Sequence, residues 1–163
     1  MGDRLTISIV VPCYNEEESL PQLSGVLQQL IAAYEKTDDV EILLVDDGST
    51  DGTLAALERL APGLRGHVLK HVGNKGIAEA YRTGFQAAKG DIVCTIDADC
   101  TFDPLELVPM LAELRATAAD LVVASPYHPR GRVEGVPGWR LILSRGASWI
   151  YRLLLPVKLY SYT

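Results

Sequence analysis

The stretch Ile92–Asp99 (IVCTIDAD) runs from a short β-branched apolar segment into two carboxylates one residue apart. Gly90 precedes it, and the run is too short for a helix, so it reads as a buried strand. Unpartnered carboxylates are costly to bury, so Asp97 and Asp99 are expected where that strand leaves the sheet. Two acids at i and i+2 on a turning chain can converge on one hard divalent cation. Such a cation keeps part of its shell for phosphate oxygens. A pair of solvated turn aspartates has the same spacing and is the bland alternative. A second acidic pair, Asp46–Asp47, closes the apolar run VEILLV, and Pro12, Tyr14 and Glu16 lie near the end of the first apolar run, LTISIVVP. Lys75 and Arg140 are possible phosphate partners, with Ser144 as a hydroxyl donor. Taken alone, Asp46–Asp47 is more often a helix-capping loop, and Arg140 a solvated or lipid-facing side chain. Their shared place at strand ends is what suggests a nucleotide-diphosphate pocket.

Those strand ends form one site only if the elements alternate. Leu5–Pro12 reads as the first strand. Asn15 is the expected N-cap of a helix whose stripe is Leu20, Leu23, Leu27, Leu30, Ile31 and Tyr34. Val40–Val45 is the second strand, and Ser49, Thr50 or Asp51 should cap the short helix Leu54–Leu60 that follows. His67–Val72 is a third strand, and Gly73–Gly76 turns into a helix over Ile77–Ala88, with Gly90 placed as a C′ glycine. After the Asp97 strand, Asp103–Pro104 opens a helix reaching about Thr117. Asp120–Ser125 (DLVVAS) reads as a fifth strand. Strands alternating with helices predict an α/β fold, a mainly parallel central sheet with helices on both faces. In such a sheet ligands bind at the carboxyl ends of the strands.

The 163 residues are 48% apolar and 22% charged, which suits one globular domain with a real core. Residues 1–125 carry nine Lys/Arg against twenty Asp/Glu, and residues 126–163 carry six against one. The chain therefore divides into an acidic α/β core, 1–125, and a basic tail, 126–163. The tail opens on a Pro- and Gly-rich loop, PYHPRGRVEGVPG, followed by an amphipathic helix from Trp139 to Leu155, ended by Pro156. Arg140, Ser144, Ser148 and Arg152 fall at i+4 steps on it, and the rest is largely apolar. That pattern suits either a core helix with a polar face or a helix lying on a membrane surface. Its basic residues are interleaved with Leu, Ile and Trp, unlike a nucleic-acid-binding surface, so no nucleic-acid partner is expected. Cys13, Cys94 and Cys100 match no zinc spacing and read as free thiols. No secretory leader pattern opens the chain, and no apolar run is clean enough to span a bilayer.

In order along the chain, IVVPCYNEEESL, VDDGSTDGT, GNKGIAEAYRTGFQAAKGD, TIDADC and GWRLILSRGAS resemble the family 2 glycosyltransferases of the GT-A fold. The last segment is most similar to the branch that makes polyprenyl-phosphate sugars, the dolichol-phosphate mannose synthases. The resemblance implies a nucleotide-sugar donor contacted by Pro12, Tyr14, Glu16, Asp46, Asp47 and Lys75. It implies Mg2+ or Mn2+ on Asp97-Ala98-Asp99, and Arg140 and Ser144 on donor diphosphate or acceptor phosphate, with Asp99, Arg140 and Ser144 closest to the chemistry. A polyprenyl-phosphate acceptor is implied too, with the protein peripheral on the cytoplasmic face of a membrane. Three departures stand out. Thr101 replaces a Gln usual after the second metal aspartate, Pro126 replaces an arginine usual after the fifth strand, and the family pattern runs on past Thr163.

Three other readings stand beside this one, the first being a nucleotide-sugar-binding fragment too short to turn over. The string Asp97–Thr101 also suits the opening motif of haloacid-dehalogenase-type phosphatases, but lies too late in the chain. A family 2 transferase with a saccharide acceptor shares every motif except the last.

Overall fold

The computed structural model describes residues 4–117, 119–125 and 138–154. Four strands, β1 (Thr6–Cys13), β2 (Asp39–Asp46), β3 (Gly66–Lys70) and β4 (Ile92–Thr95), form one parallel sheet in the order β3-β2-β1-β4. Helices α1 (Leu20–Tyr34), α2 (Thr53–Leu60) and α3 (Ile77–Ala87) are the crossovers, and α4 (Leu107–Thr117) and α5 (Gly138–Leu154) follow. The chain forms two compact units, divided after Leu111. The sheet belongs to the first unit and α5 to the second.

β1 and the second half of β2 are buried without interruption, as strands covered on both faces must be. On one face Val10, Leu43 and Val45 pack with Ala80 of α3. Small residues at i and i+4 of α3 allow that approach. A Cβ on Gly84 would overlap Val10 Cγ1 and lie 3.1 Å from Val10 Cγ2. On α1 the expected stripe is buried at Leu20, Leu23, Leu27, Leu30 and Tyr34.

The strand order creates a switch point. The first two crossovers step outward from β1 to β2 to β3, and the third returns past both to place β4 on the far side of β1. The crevice outside the carboxyl ends of β1 and β4 is therefore where a ligand is expected.

Three sequence expectations are corrected. Residues 119–125 form no strand, so Asp120–Ser125 is not a fifth member of the sheet among the described residues; Leu121 and Val123 are 68% and 50% exposed. An apolar pattern supplies strand propensity but not a partner to pair with. Asn15 is not the cap of α1, which begins after Ser19. Gly90 is not a C′ glycine either: α3 ends on Ala88 in extended conformation. Gly90 instead presses on β1, where a Cβ would meet Ser8 N at 2.7 Å and Thr6 O at 2.8 Å. Asp103 caps as expected, its side chain accepting from Leu105 N–H in a 3-10 turn before α4.

Candidate active site

Two loops at the carboxyl edge are laced together. After β1 the chain turns through Asn15 at φ 55°, and the Asn15 side-chain oxygen accepts from Thr50 N–H at 2.8 Å. Ser49 Oγ accepts from Asn15 N–H (3.0 Å), Thr53 Oγ1 from Glu16 N–H (2.8 Å), and Glu17 Oε2 from Gly52 N–H (2.9 Å). Asn15, Glu17, Ser49 and Thr53 thus satisfy amides of the facing loop; the N-cap of α2 is Gly52 and not Ser49, Thr50 or Asp51, although Asp51 Oδ1 still accepts from Thr53 N–H at 2.9 Å. Glu16 accepts from the Ser19 hydroxyl at 2.8 Å. Pro12 is buried in β1, and Tyr14 beyond it is 44% exposed.

Asp46 and Asp47 are both buried but differ in what holds them. Asp47 is saturated. Its Oδ1 accepts from His71 Nδ1 (2.6 Å) and Lys75 N–H (2.9 Å), and its Oδ2 from Gly76 N–H (2.8 Å). Burial works to raise its carboxyl. The bonds from His71, Lys75 and Gly76, with the His71 charge, outweigh burial and hold the carboxyl below its ordinary 3.8. Asp46 accepts from Ser49 N–H through Oδ2 (3.3 Å), while Oδ1 is buried with no hydrogen-bond partner. A buried acceptor without a donor is unfavourable, so Asp46 is the member of the pair left with capacity for an incoming N–H.

A lowered folded-state value means that Asp47 contributes stability above its unfolded value, and that this is lost as pH falls through the lower folded one. The expected result is a denaturation midpoint that drops on acidification below about pH 4. Asp47→Asn should flatten that slope, and an unchanged slope would show the interaction to be weak.

Lys75 is exposed at the tip of the Gly73–Gly76 turn. Across β1, β4 ends at Thr95, and Ile96 N–H still reaches Val10 O at 3.2 Å. Ala98 is buried, which turns Asp97 and Asp99 outward on either side of it. Asp97 Oδ1 accepts from the Tyr81 hydroxyl (3.2 Å). Thr101 holds Asp99 through its N–H (2.9 Å) and its hydroxyl (2.8 Å), occupying the position where the resemblance leads one to look for Gln. Burial, the Asp97 charge and that hydrogen bond push the Tyr81 phenol up to about 12. Two exposed carboxylates with oxygen donors only suit a hard cation such as Mg2+ or Mn2+ that completes its shell with water and phosphate. Among the described residues no group of three or more acids, His and Cys forms a closed cage.

The sequence matches the glycosyl transferase family 2 model over residues 8–152. The chain belongs to glycosyl transferase family 2. This family 2 chain is 32% identical over 152 residues to a dolichol-phosphate mannosyltransferase of Pyrococcus furiosus, covering 93% of this chain and 42% of the relative. It is 37% identical to a polyprenol monophosphomannose synthase of Mycolicibacterium smegmatis, covering 95% and 58%. Among solved structures, a mannosyltransferase from Pyrobaculum calidifontis in complex with GDP-Man and Mn2+ superposes with TM-score 0.61 at 28% identity, over 76% of this chain and 37% of that one. The fold is the GT-A fold of these transferases. The chain spans about half the length of the curated relatives or less.

Within the family 2 motifs, the structure brings Tyr14, Glu16, Asp46, Asp47, Lys75, Asp97, Ala98 and Asp99 to one sheet edge. Arg140 and Ser144 lie in α5, in the second unit; Ser144 is half-buried, and the Arg140 side chain lies outside the described residues, as does the loop 126–137. Sequence reasoning missed His71, Thr83 and Tyr81. The one available signal for His71 is that a buried aspartate needs donors, and spacing alone does not say which residue supplies them. Cys13 and Cys94 are buried, and burial pushes their thiols up to about 12 and about 11.

Proposed function

We propose that this protein transfers a sugar from a nucleotide-diphosphate sugar, GDP-mannose or a UDP-hexose, to a polyprenyl phosphate with inversion at the anomeric carbon. The observation that carries the reading is that Asp46, ending β2 with a buried oxygen lacking a donor, and the outward-facing Asp97–Asp99 pair after β4 lie at the same carboxyl edge of the parallel sheet, on either side of β1. Asp46 accepts an N–H of the base, and Tyr14 offers an exposed ring beside it. Asp97 and Asp99 would hold a divalent ion, which would supply charge neutralisation to the departing diphosphate. Tyr81 and Thr101 keep those two carboxylates oriented. Arg140 and Ser144 bind phosphate, an assignment supported by the sequence pattern alone. A phosphate monoester is already anionic near neutral pH, so the protein's work is positioning and charge stabilisation, and no side-chain base is needed.

The two curated relatives named above support the polyprenyl-phosphate acceptor, and the solved complex supports a nucleotide-sugar donor with Mn2+. Among the described residues no helix is long and apolar enough to cross a membrane. In this reading the protein sits peripherally on a membrane, and the exposed Trp139, Ile142, Leu143, Trp149, Leu153 and Leu154 of α5 are the apolar side chains that would lie on it.

The test is to incubate the protein with labelled GDP-mannose or UDP-glucose, Mn2+ and a polyprenyl phosphate, and to extract with organic solvent. Label moving to the organic phase only when lipid phosphate is present is the expected result. Label appearing instead on a water-soluble saccharide would assign a sugar acceptor and overturn the lipid reading.

A further inference from the structure

His71 follows the edge strand β3 and has no part in the chemistry proposed above, yet its side chain is only 5% exposed and both ring nitrogens are engaged. Nδ1 meets Asp47 Oδ1 at 2.6 Å and Nε2 meets Thr83 Oγ1 of α3 at 2.8 Å. Asp47 is an acceptor only, so Nδ1 carries a proton towards it, and Nε2 meets the Thr83 hydroxyl, which can serve as donor or acceptor. The His71 backbone N–H is also tied, to Asp46 O at 2.9 Å. One residue thus connects the ends of β2 and β3 to the body of α3.

The Asp47 carboxylate that His71 grips is the same one that takes the Lys75 and Gly76 amides. Gly48 sits against Gly73 and Asn74 so closely that no Cβ fits between the two loops. The carboxylate therefore fills the amide cradle at the start of α3, and no phosphate needs to. We infer that His71 is a positioning residue for the donor site: by holding Asp47 and Thr83 at once, it fixes the clasp that sets the Gly73–Gly76 turn and the Asp46 end of β2 relative to each other. The inference rests on the donor-site reading above for its functional part, while the clasp itself can be read without any donor.

Three variants separate the possibilities. His71→Asn keeps a side-chain N–H for Asp47 and loses the reach to Thr83. His71→Ala and His71→Leu lose both, and leucine keeps apolar volume. Hydrogen exchange at the Lys75 and Gly76 amides is the direct readout, taken well below each variant's melting temperature. Faster exchange in the alanine and leucine variants, with protection largely retained in His71→Asn, is expected. In parallel, calorimetry with GDP-mannose or UDP-glucose and Mn2+ should show donor affinity about tenfold or more weaker in His71→Ala, with recovery in His71→Asn. Unchanged exchange and affinity in His71→Ala would overturn the inference, as would equal losses in all three variants, which would mark a general packing role. If wild type binds no donor, the functional reading fails on its own, and the exchange measurement still decides whether His71 holds the clasp.

Discussion

Gly48→Ala is expected to destabilise the protein more than any other single-methyl substitution in the loops around the site. Gly48 has φ 70°, a conformation that costs an L-residue about 1–2 kcal/mol. The added Cβ would overlap the backbone of Gly73 and lie 2.7 Å from Asn74 N. Its neighbours are main-chain atoms pinned by the Asp47 clasp, so relief requires moving the whole Gly73–Gly76 turn. Overpacking of this kind adds about 1–3 kcal/mol. Against a total stability of roughly 5–15 kcal/mol, the melting temperature should fall by on the order of 10 °C. Gly25→Ala is the matched control: it lies inside α1 with nothing within 4 Å of the added methyl, so its melting temperature should hold or rise. Equal behaviour of the two variants would mean that the loops are not in close register.

Asp97→Ala has the opposite signature. Asp97 is exposed and its side chain accepts a hydrogen bond from Tyr81, also near the surface, so the fold should survive its loss. Half of the carboxylate pair proposed to hold the divalent ion goes with it. Metal-assisted stabilisation of transferred charge is worth several kcal/mol, so transfer should drop by at least about a hundredfold with melting unchanged. Thr101→Val tests the support beneath the same site. It removes the hydroxyl bond to Asp99 and keeps the backbone one, so a partial loss of activity is expected, smaller than in Asp97→Ala. Full activity in Asp97→Ala would remove the aspartate pair from the site.

The parts of this arrangement written in local pattern were legible in the sequence. The i+3/i+4 spacing of Leu20, Leu23, Leu27, Leu30 and Tyr34 gives α1, and the apolar runs ending in Asp46 and Asp97 give two strands and the edge on which their carboxylates emerge. What failed depended on partners distant in sequence. Asn15 has the composition of a helix cap, but its acceptor is used by Thr50, 35 residues away. Gly90 has the spacing of a C′ glycine, but Ser8, 82 residues back, is what leaves no room for a side chain there. Asp120–Ser125 has strand composition and no pairing partner among the described residues. At the site, the sequence presents Asp46 and Asp47 as equivalent neighbours. Only the fold separates them, saturating Asp47 with His71 and two amides and leaving Asp46 Oδ1 without a donor.

The most direct test of the donor site is calorimetric titration of GDP-mannose, UDP-glucose and UDP-N-acetylglucosamine into the wild-type protein, each with Mn2+ and again with a chelator. Saturable binding of one of these donors with Mn2+, strongly weakened by the chelator, is the predicted result and names the base. A folded protein that binds none of the three, or binds one equally well without metal, would contradict the assignment of the β1–β4 edge as a metal-dependent nucleotide-sugar site.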